Sequence, residues 1–503
     1  MSRHRGQWPF SRGPRLLALG AMASIVAVVA LGGGFLLSQS RQKPSVASTI
    51  PTPSTITSTS SPSTPASGKT TVVWFIGLGA GGLGTAFNAE VDFVNHYNAT
   101  NLDNIVLQLD IPPAGPAGYT IADQLVGTDI VGPMPVEARA QYAGYWRGLN
   151  DEIDKNGTDL NVYPPVLLKT FLGAAGQYIG LPYDEYPAFI FYNKDLFKAA
   201  GLPDLPTQVG EKYMGADWTW DELATIAKRL TVDTSGRSST DPRFDPGTIK
   251  DYGFDMQYVE DLRRLGTAWG AGSYVAADGK TAQIPPVWEQ AWKWYYDAMW
   301  TSHFAPTGAE RAAAGMGSGS TIATGRVAMG LTWAWAVSSF GPLDASGNPT
   351  PASAYKHWDM GVLPSNDGVT TDPIDTDTFA LNKETKVADA AYKAMLAIMA
   401  DPKLRVAYGG MPVAQSMQAS YFRTAQASVD KQFVDNPVTW SVLAEMTKYA
   451  ASPTHQDPLP SYVKASQDDQ DFFARLRNTS GLDLDAEVAK LKLALQADFN
   501  APQ

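Results

Sequence analysis

The sequence predicts an α/β protein with more than one core. Two observations carry this. Apolar runs bounded by turn residues alternate with stretches of helical periodicity. The chain also has 503 residues, 44% of them hydrophobic, which is enough to bury several cores. The first unit reads as a strand over 71–76, a glycine loop, a helix carrying Phe87, Val91, Phe93 and Val94, and a second strand over 105–109 ending at Asp110. Further on, Ala188-Phe189-Ile190-Phe191-Tyr192 is an apolar run flanked by prolines and reads as a buried strand. A short amphipathic turn follows, with Leu196, Phe197 and Ala200 on one face. Gly201 then supplies a left-handed cap, and Pro203 blocks continuation. A longer helix begins at Thr219 or Asp221 and turns Leu223, Ile226, Ala227 and Leu230 inward.

The N-terminus predicts export. Arg3, Arg5, Arg12 and Arg15 precede an uncharged apolar stretch over 16–38, about the ~20 residues a spanning helix needs. Basic residues on the leading side keep that side cytoplasmic. Residues 1–15 are thus a cytoplasmic basic segment, and 16–38 an anchor or a cleaved signal. The Ser/Thr/Pro tract within 39–68 has too little apolar content to fold and reads as an extended spacer.

The formal net charge is −11, and removing the six positive charges of residues 1–67, which carry no acid, leaves −17 on the remainder. So acidic a body argues against nucleic acid and anionic membrane surfaces as partners. Cysteine is absent, which excludes disulfides, thiol nucleophiles and thiolate metal sites.

The block GLPYDEYPAFIFYNKDLFKAAGLP, continuing to Trp220-Asp221-Glu222-Leu223, resembles the extracellular solute-binding proteins of ATP-binding-cassette importers. Within these it is similar to the carbohydrate-binding, maltose-binding-protein-like family. Gly325-Arg326-Val327-Ala328-Met329 with Trp333 and Trp335, Gly361-Val362-Leu363-Pro364, and Asn382-Lys383 before an Ala-rich helix extend the resemblance over most of 69–503. It implies a two-lobed periplasmic-binding-protein-like fold with the ligand held between the lobes. The first lobe would be 69–185 with 365–407, and the second 186–364 with 408–503. Many relatives are lipoproteins tethered through a cysteine, which this chain lacks, so the N-terminal helix is the natural substitute anchor.

Sugar sites need flat rings and paired polar groups. The resemblance places a stacking tryptophan at Trp333 or Trp335, an acidic contact at Glu185 with Tyr186, a contact loop whose one charge is Glu137, and a ring at Tyr462. Second-lobe contacts fall at Tyr258 and Trp269. Trp74 stands at the end of the first strand, near the cleft edge or in the core. Trp288, Trp292, Trp294 and Trp300 follow mixed helical spacing and read as helix packing.

Other chemistries find little support. Gly77-Leu78-Gly79-Ala80-Gly81-Gly82 fits a dinucleotide fingerprint, but its acid lies beyond the usual ~20 residues and the compartment is wrong. A tight turn whose helix-start amides face the cleft is the better reading. The five histidines show no metal spacing, no nucleophile elbow occurs, and Asp184-Glu185 are adjacent and point apart. Asp372, Asp375 and Asp377 read as a solvated acidic loop, with calcium binding the alternative.

The expected protein is therefore not an enzyme and needs no cofactor or metal. It is a monomeric, membrane-tethered binder on the outer face of the cytoplasmic membrane, closing on a small-molecule carbohydrate and handing it to permease subunits. An extracellular carbohydrate-active enzyme and a sensing ectodomain without transport are the alternatives.

Overall fold

The computed structural model describes residues 68–501 apart from 77, 79–83, 111–123, 164, 174–175, 314–315, 317–320, 341–356, 414, 434 and 458. The expected anchor, almost all of the spacer and most of the glycine loop lie outside the described residues. Among the described residues no helix is long and apolar enough to cross a membrane.

Two sheets organise the chain. The first joins β1 (Thr70–Phe75), β2 (Ile105–Asp110), β3 (Ile130–Pro135), β4 (Leu181–Tyr186), β12 (Asp375–Leu381) and β13 (Met411–Pro412), in the order β13-β4-β12-β3-β1-β2. The second joins β5 (Ala188–Asn193), β8 (Val232–Asp233), β9 (Ile249–Met256), β10 (Val327–Trp333) and β11 (Trp358–Gly361), in the order β11-β5-β10-β9-β8. A small hairpin pairs β6 (Lys212–Tyr213) with β7 (Ala216–Asp217).

β1 is parallel to β2 and β3, as the βαβ reading requires, and the helix Gly84–Thr100 makes the crossover. Asp129 stitches this edge: its carboxylate accepts from Val73 N at 2.8 Å and from Thr385 Oγ1 at 2.5 Å. β5 is buried along its whole length because helices cover both faces of its sheet, which explains a run of apolar residues without alternation. The helix Trp220–Leu230 starts where Thr219 accepts from Glu222 N at 3.2 Å, and it buries Leu223, Ile226, Ala227 and Leu230. Gly201, at φ +65°, ends the preceding helix.

Each sheet has its own core. Val72, Trp74, Ile105, Leu107, Phe379 and Met395 belong to the first, and Phe189, Phe191, Trp220, Trp292, Met329 and Phe473 to the second. The chain passes from first to second sheet at Pro187 and returns between β11 and β12. It leaves again after β13 for the helix Gln415–Gln432, whose Tyr421 and Val429 pack into the second core.

One expectation is corrected. Asp375 and Asp377 are not in a solvated loop: they lie on β12, which is buried throughout, between β3 and β4. Asp372, just before it, is fully buried and accepts from Ala188 N at 3.0 Å. Acids that pair with buried donors across the crossing have no need of solvent.

Candidate functional site

Where the two sheets meet, residues from both form one polar and aromatic group. From the first sheet come Asp375 and Asp377 on β12, Tyr186 at the end of β4, and Glu137 in the helix that follows β3. From the second come Tyr258 after β9, Arg264 in the helix Arg263–Ala268, Trp333 ending β10, and Trp335 just beyond it. His455, Gln456 and Tyr462 arrive from the C-terminal segment.

The contacts are dense. Arg264 Nη1 donates to Asp375 Oδ1, and Arg264 Nη2 lies 4.0 Å from Glu137 Oε1. The same guanidinium sits 4.7 Å from the centre of the Tyr258 ring and 5.0 Å from that of Trp333. Tyr258 is held at φ +59°, with its ring 5.3 Å from Trp335 and 6.0 Å from Trp333. The indole of Trp335 donates to Asp375 Oδ2 at 3.4 Å, and that of Trp333 donates to Pro373 O at 2.7 Å. Tyr186 Oη donates to Asp377 Oδ2 at 3.1 Å, and Gln456 Nε2 donates to Glu137 Oε2 at 3.0 Å. His455 Nε2 lies 2.8 Å from Asp375 Oδ1. The same nitrogen lies 3.0 Å from Arg264 Nη1, so it stands between a group that only accepts and one that only donates.

Burial sets the electrostatics. Desolvation pushes Glu137 up to about 7, with Arg264 opposing and Asp375 adding to the rise. Asp377 is also pushed up to about 7 by burial, against its bond from Tyr186. For Asp375 burial acts upward too, but Arg264 and His455 outweigh it and hold the carboxyl below its ordinary value. His455 is lowered by burial and then by Arg264, so its ring is neutral. Tyr462 is pushed up to about 12 by burial, with Arg263 opposing. Alongside, Arg263 bridges Asp261 at 3.2 Å and Asp469 at 3.3 Å.

Such an arrangement can grip a polar molecule between rings and paired acceptors. Among the described residues no three His, Asp or Glu are grouped to hold a metal ion.

The sequence profile of the family described as bacterial extracellular solute-binding protein matches residues 138–403, just over half of the chain. This chain is a member of that family. As a solute-binding protein it works outside the cytoplasm, presents its solute to an ABC importer, and carries out no reaction on it. No curated protein matches the chain.

Solved structures share the fold of this solute-binding protein. An ABC substrate-binding protein from Listeria monocytogenes, in complex with cycloalternan, is 19% identical with a TM-score of 0.62, over 86% of this chain and 98% of that one. The Thermus thermophilus maltotriose binding protein, bound with maltotriose, is 17% identical with a TM-score of 0.55, over 85% and 99%. UgpB from Mycobacterium tuberculosis, in complex with glycerophosphocholine, is 16% identical with a TM-score of 0.60, over 86% and 99%.

Of the residues singled out in the sequence, the structure of the solute-binding protein brings Glu137, Tyr186, Tyr258, Trp333, Trp335 and Tyr462 toward one place. Glu185 points to the other face of β4 from Tyr186, and burial pushes it up to about 7. Trp74 is fully buried in the first core, edge-on to Phe93 at 6.1 Å, its indole donating to Gly132 O at 2.7 Å. Trp269 stacks on Trp220 at 5.6 Å within the second core. Sequence reasoning missed Arg264, His455 and Gln456. Arg264 stands next to another arginine on a short helix, and no residue spacing links either region to β12.

Proposed function

We propose that the solute is a carbohydrate or a closely related polyol, held between two lobes that close on it by a hinge motion. The observation that carries this is the meeting of Tyr258, Trp333 and Trp335, on the second sheet's side, with Glu137, Asp375 and Asp377 on the first's. Rings offer faces to the C–H surfaces of a pyranose, and carboxylates accept pairs of hydroxyl protons. Contacts from both sides favour the shut state. Tyr186 and Tyr462 would add polar contacts at the margin, with Glu185 beside the crossing. The lobes would comprise 69–185 with 365–407 and 186–364 with 408–503, with β13 added to the first through its pairing with β4. Cycloalternan and maltotriose in the neighbouring structures support the ligand class.

We further propose that residues 16–38 anchor a monomeric body to the outer face of the membrane, with 39–68 as a spacer that keeps it near its permease.

Isothermal titration with maltotriose, cycloalternan and ribitol, followed by chromatography of the recovered ligand, tests the reading. Micromolar or tighter binding of an unaltered saccharide is expected, and a saccharide recovered cleaved would overturn it. A second reading has one observation in its favour. The rings already hold a guanidinium beside carboxylates, so a cationic head group such as that of glycerophosphocholine would find complementary surroundings. Including that compound in the titration decides between them.

A further inference from the structure

We propose that Arg264 is a latch and an internal occupant of the cleft: its guanidinium takes a solute's place on the rings and ties the two sheets together when no solute is bound. This rests on the reading that the solute binds between the sheets.

Three independent features of the geometry support it. Arg264 belongs to the helix Arg263–Ala268, on the second sheet's side, yet its partners Asp375 and Glu137 belong to β12 and to the helix after β3, on the first's. Its cation covers the faces of Tyr258 and Trp333, the surfaces a saccharide would need. Its neighbours brace it rather than compete for it. Asp261 lies 3.9 Å from Arg264 Nε while bonding chiefly to Arg263, and His455 Nε2 stands between Arg264 Nη1 at 3.0 Å and Asp375 Oδ1 at 2.8 Å. A planar, permanently charged fork suits such a role because it can stack and donate at once.

A solute must therefore displace the arginine from both the rings and the carboxylates before it can occupy them. Closure would then be a property of the empty protein, and the solute would exchange one set of cross-sheet contacts for another.

The absence of cysteine gives a clean test. Leu102 and Leu493, 94% and 73% exposed, lie on the first and second bodies respectively, so Leu102→Cys and Leu493→Cys take one spin label each. Pulsed electron resonance on the full chain in detergent, without solute, then reads the distance between the bodies. A single short distance is expected with Arg264 present. Arg264→Ala is expected to lengthen and broaden it, and ethylguanidinium at tens of millimolar to restore it by filling the vacated cradle. Should Arg264→Ala fail to fold, Asp375→Asn with Glu137→Gln cuts the same bridge from the other side and must also lengthen the distance. Identical distances in the unsubstituted chain and in these variants would overturn the latch, and so would a long distance with Arg264 in place. Either result leaves the binding reading standing, because that reading is judged by titration alone.

Discussion

Gly266 meets the face of Trp288 so closely that a Cβ placed on it would lie 2.1 Å from the ring. The contact seats the helix Arg263–Ala268 on the helix Pro286–Trp300, and so fixes where Arg264 begins. Gly266→Ala is expected to cost about 1–3 kcal/mol through overpacking, read by urea denaturation. It should also weaken solute binding, since the whole helix must shift to admit the methyl group. Unchanged stability would mean that the tryptophan swings away freely.

Acidic pH should stabilise the protein. Glu137 and Asp377, pushed up to about 7, keep protons in the folded chain that an unfolded chain has released by about pH 5. The folded state binds more protons across that window, so stability falls as pH rises through about 7. Asp375 works in the other direction. Held below its ordinary value, it contributes at neutral pH and loses that contribution only in strong acid. Calorimetry is expected to show a melting temperature that drops from about pH 5 to about pH 7 and levels off above that. Glu137→Gln with Asp377→Asn should flatten that slope, each group contributing at most about 1.4 kcal/mol per pH unit.

The buried pair Asp184–Arg405 holds the edge of the first sheet. Arg405 Nε donates to Asp184 Oδ1 at 2.5 Å, its Nη2 donates to Met399 O at 2.7 Å, and Asp184 is fully buried. Arg405→Met leaves that acid without its cation and is expected to destabilise by about 3–5 kcal/mol. Adding Asp184→Leu should recover most of the loss in the double variant, measured by chemical denaturation. Equal losses in the single and double variants would refute the pairing argument.

Trp335 is half-buried, unlike Trp333, which is fully buried and roots β10 in the second core. Trp335→Ala is therefore expected to weaken solute binding about tenfold, a loss near 1.4 kcal/mol, with the melting temperature barely moved. Trp333→Ala should lower both affinity and stability, the latter by about 3–5 kcal/mol. Titration and calorimetry on the same two proteins separate the roles.

Removal of residues 1–43 should convert a membrane-bound protein into one recovered in the soluble fraction after lysis and centrifugation. A truncated protein that still sediments with the membranes would argue against the anchor.

The elements legible in the sequence are those whose burial leaves a simple pattern. β5 is apolar at every position because it is covered on both faces, and the helix Trp220–Leu230 announces itself through Thr219 and its inward stripe. The tryptophans of Pro286–Trp300 read as packing because Trp288 and Trp292 recur one helical turn apart. β12 was hidden for the opposite reason. Its acids are buried beside partners far along the chain, Asp377 by Tyr186 and Asp375 by Arg264 and His455, so a polar stretch reads as solvated. Rings that a family pattern marks are found from sequence, whereas an arginine drawn in by long-range pairing leaves no local mark.

The position of β12 also bears on how the protein is made. This strand lies between β3 and β4, so the six-stranded sheet has a gap at its centre until residues 375–381 have been synthesised. The strands of the five-stranded sheet are complete by residue 361. Nascent chain up to β4 therefore waits with one open edge on β3 and both edges of β4 unpaired while some two hundred further residues emerge. A secretory channel meeting it during that interval receives a first sheet that still lacks the strand joining its two halves.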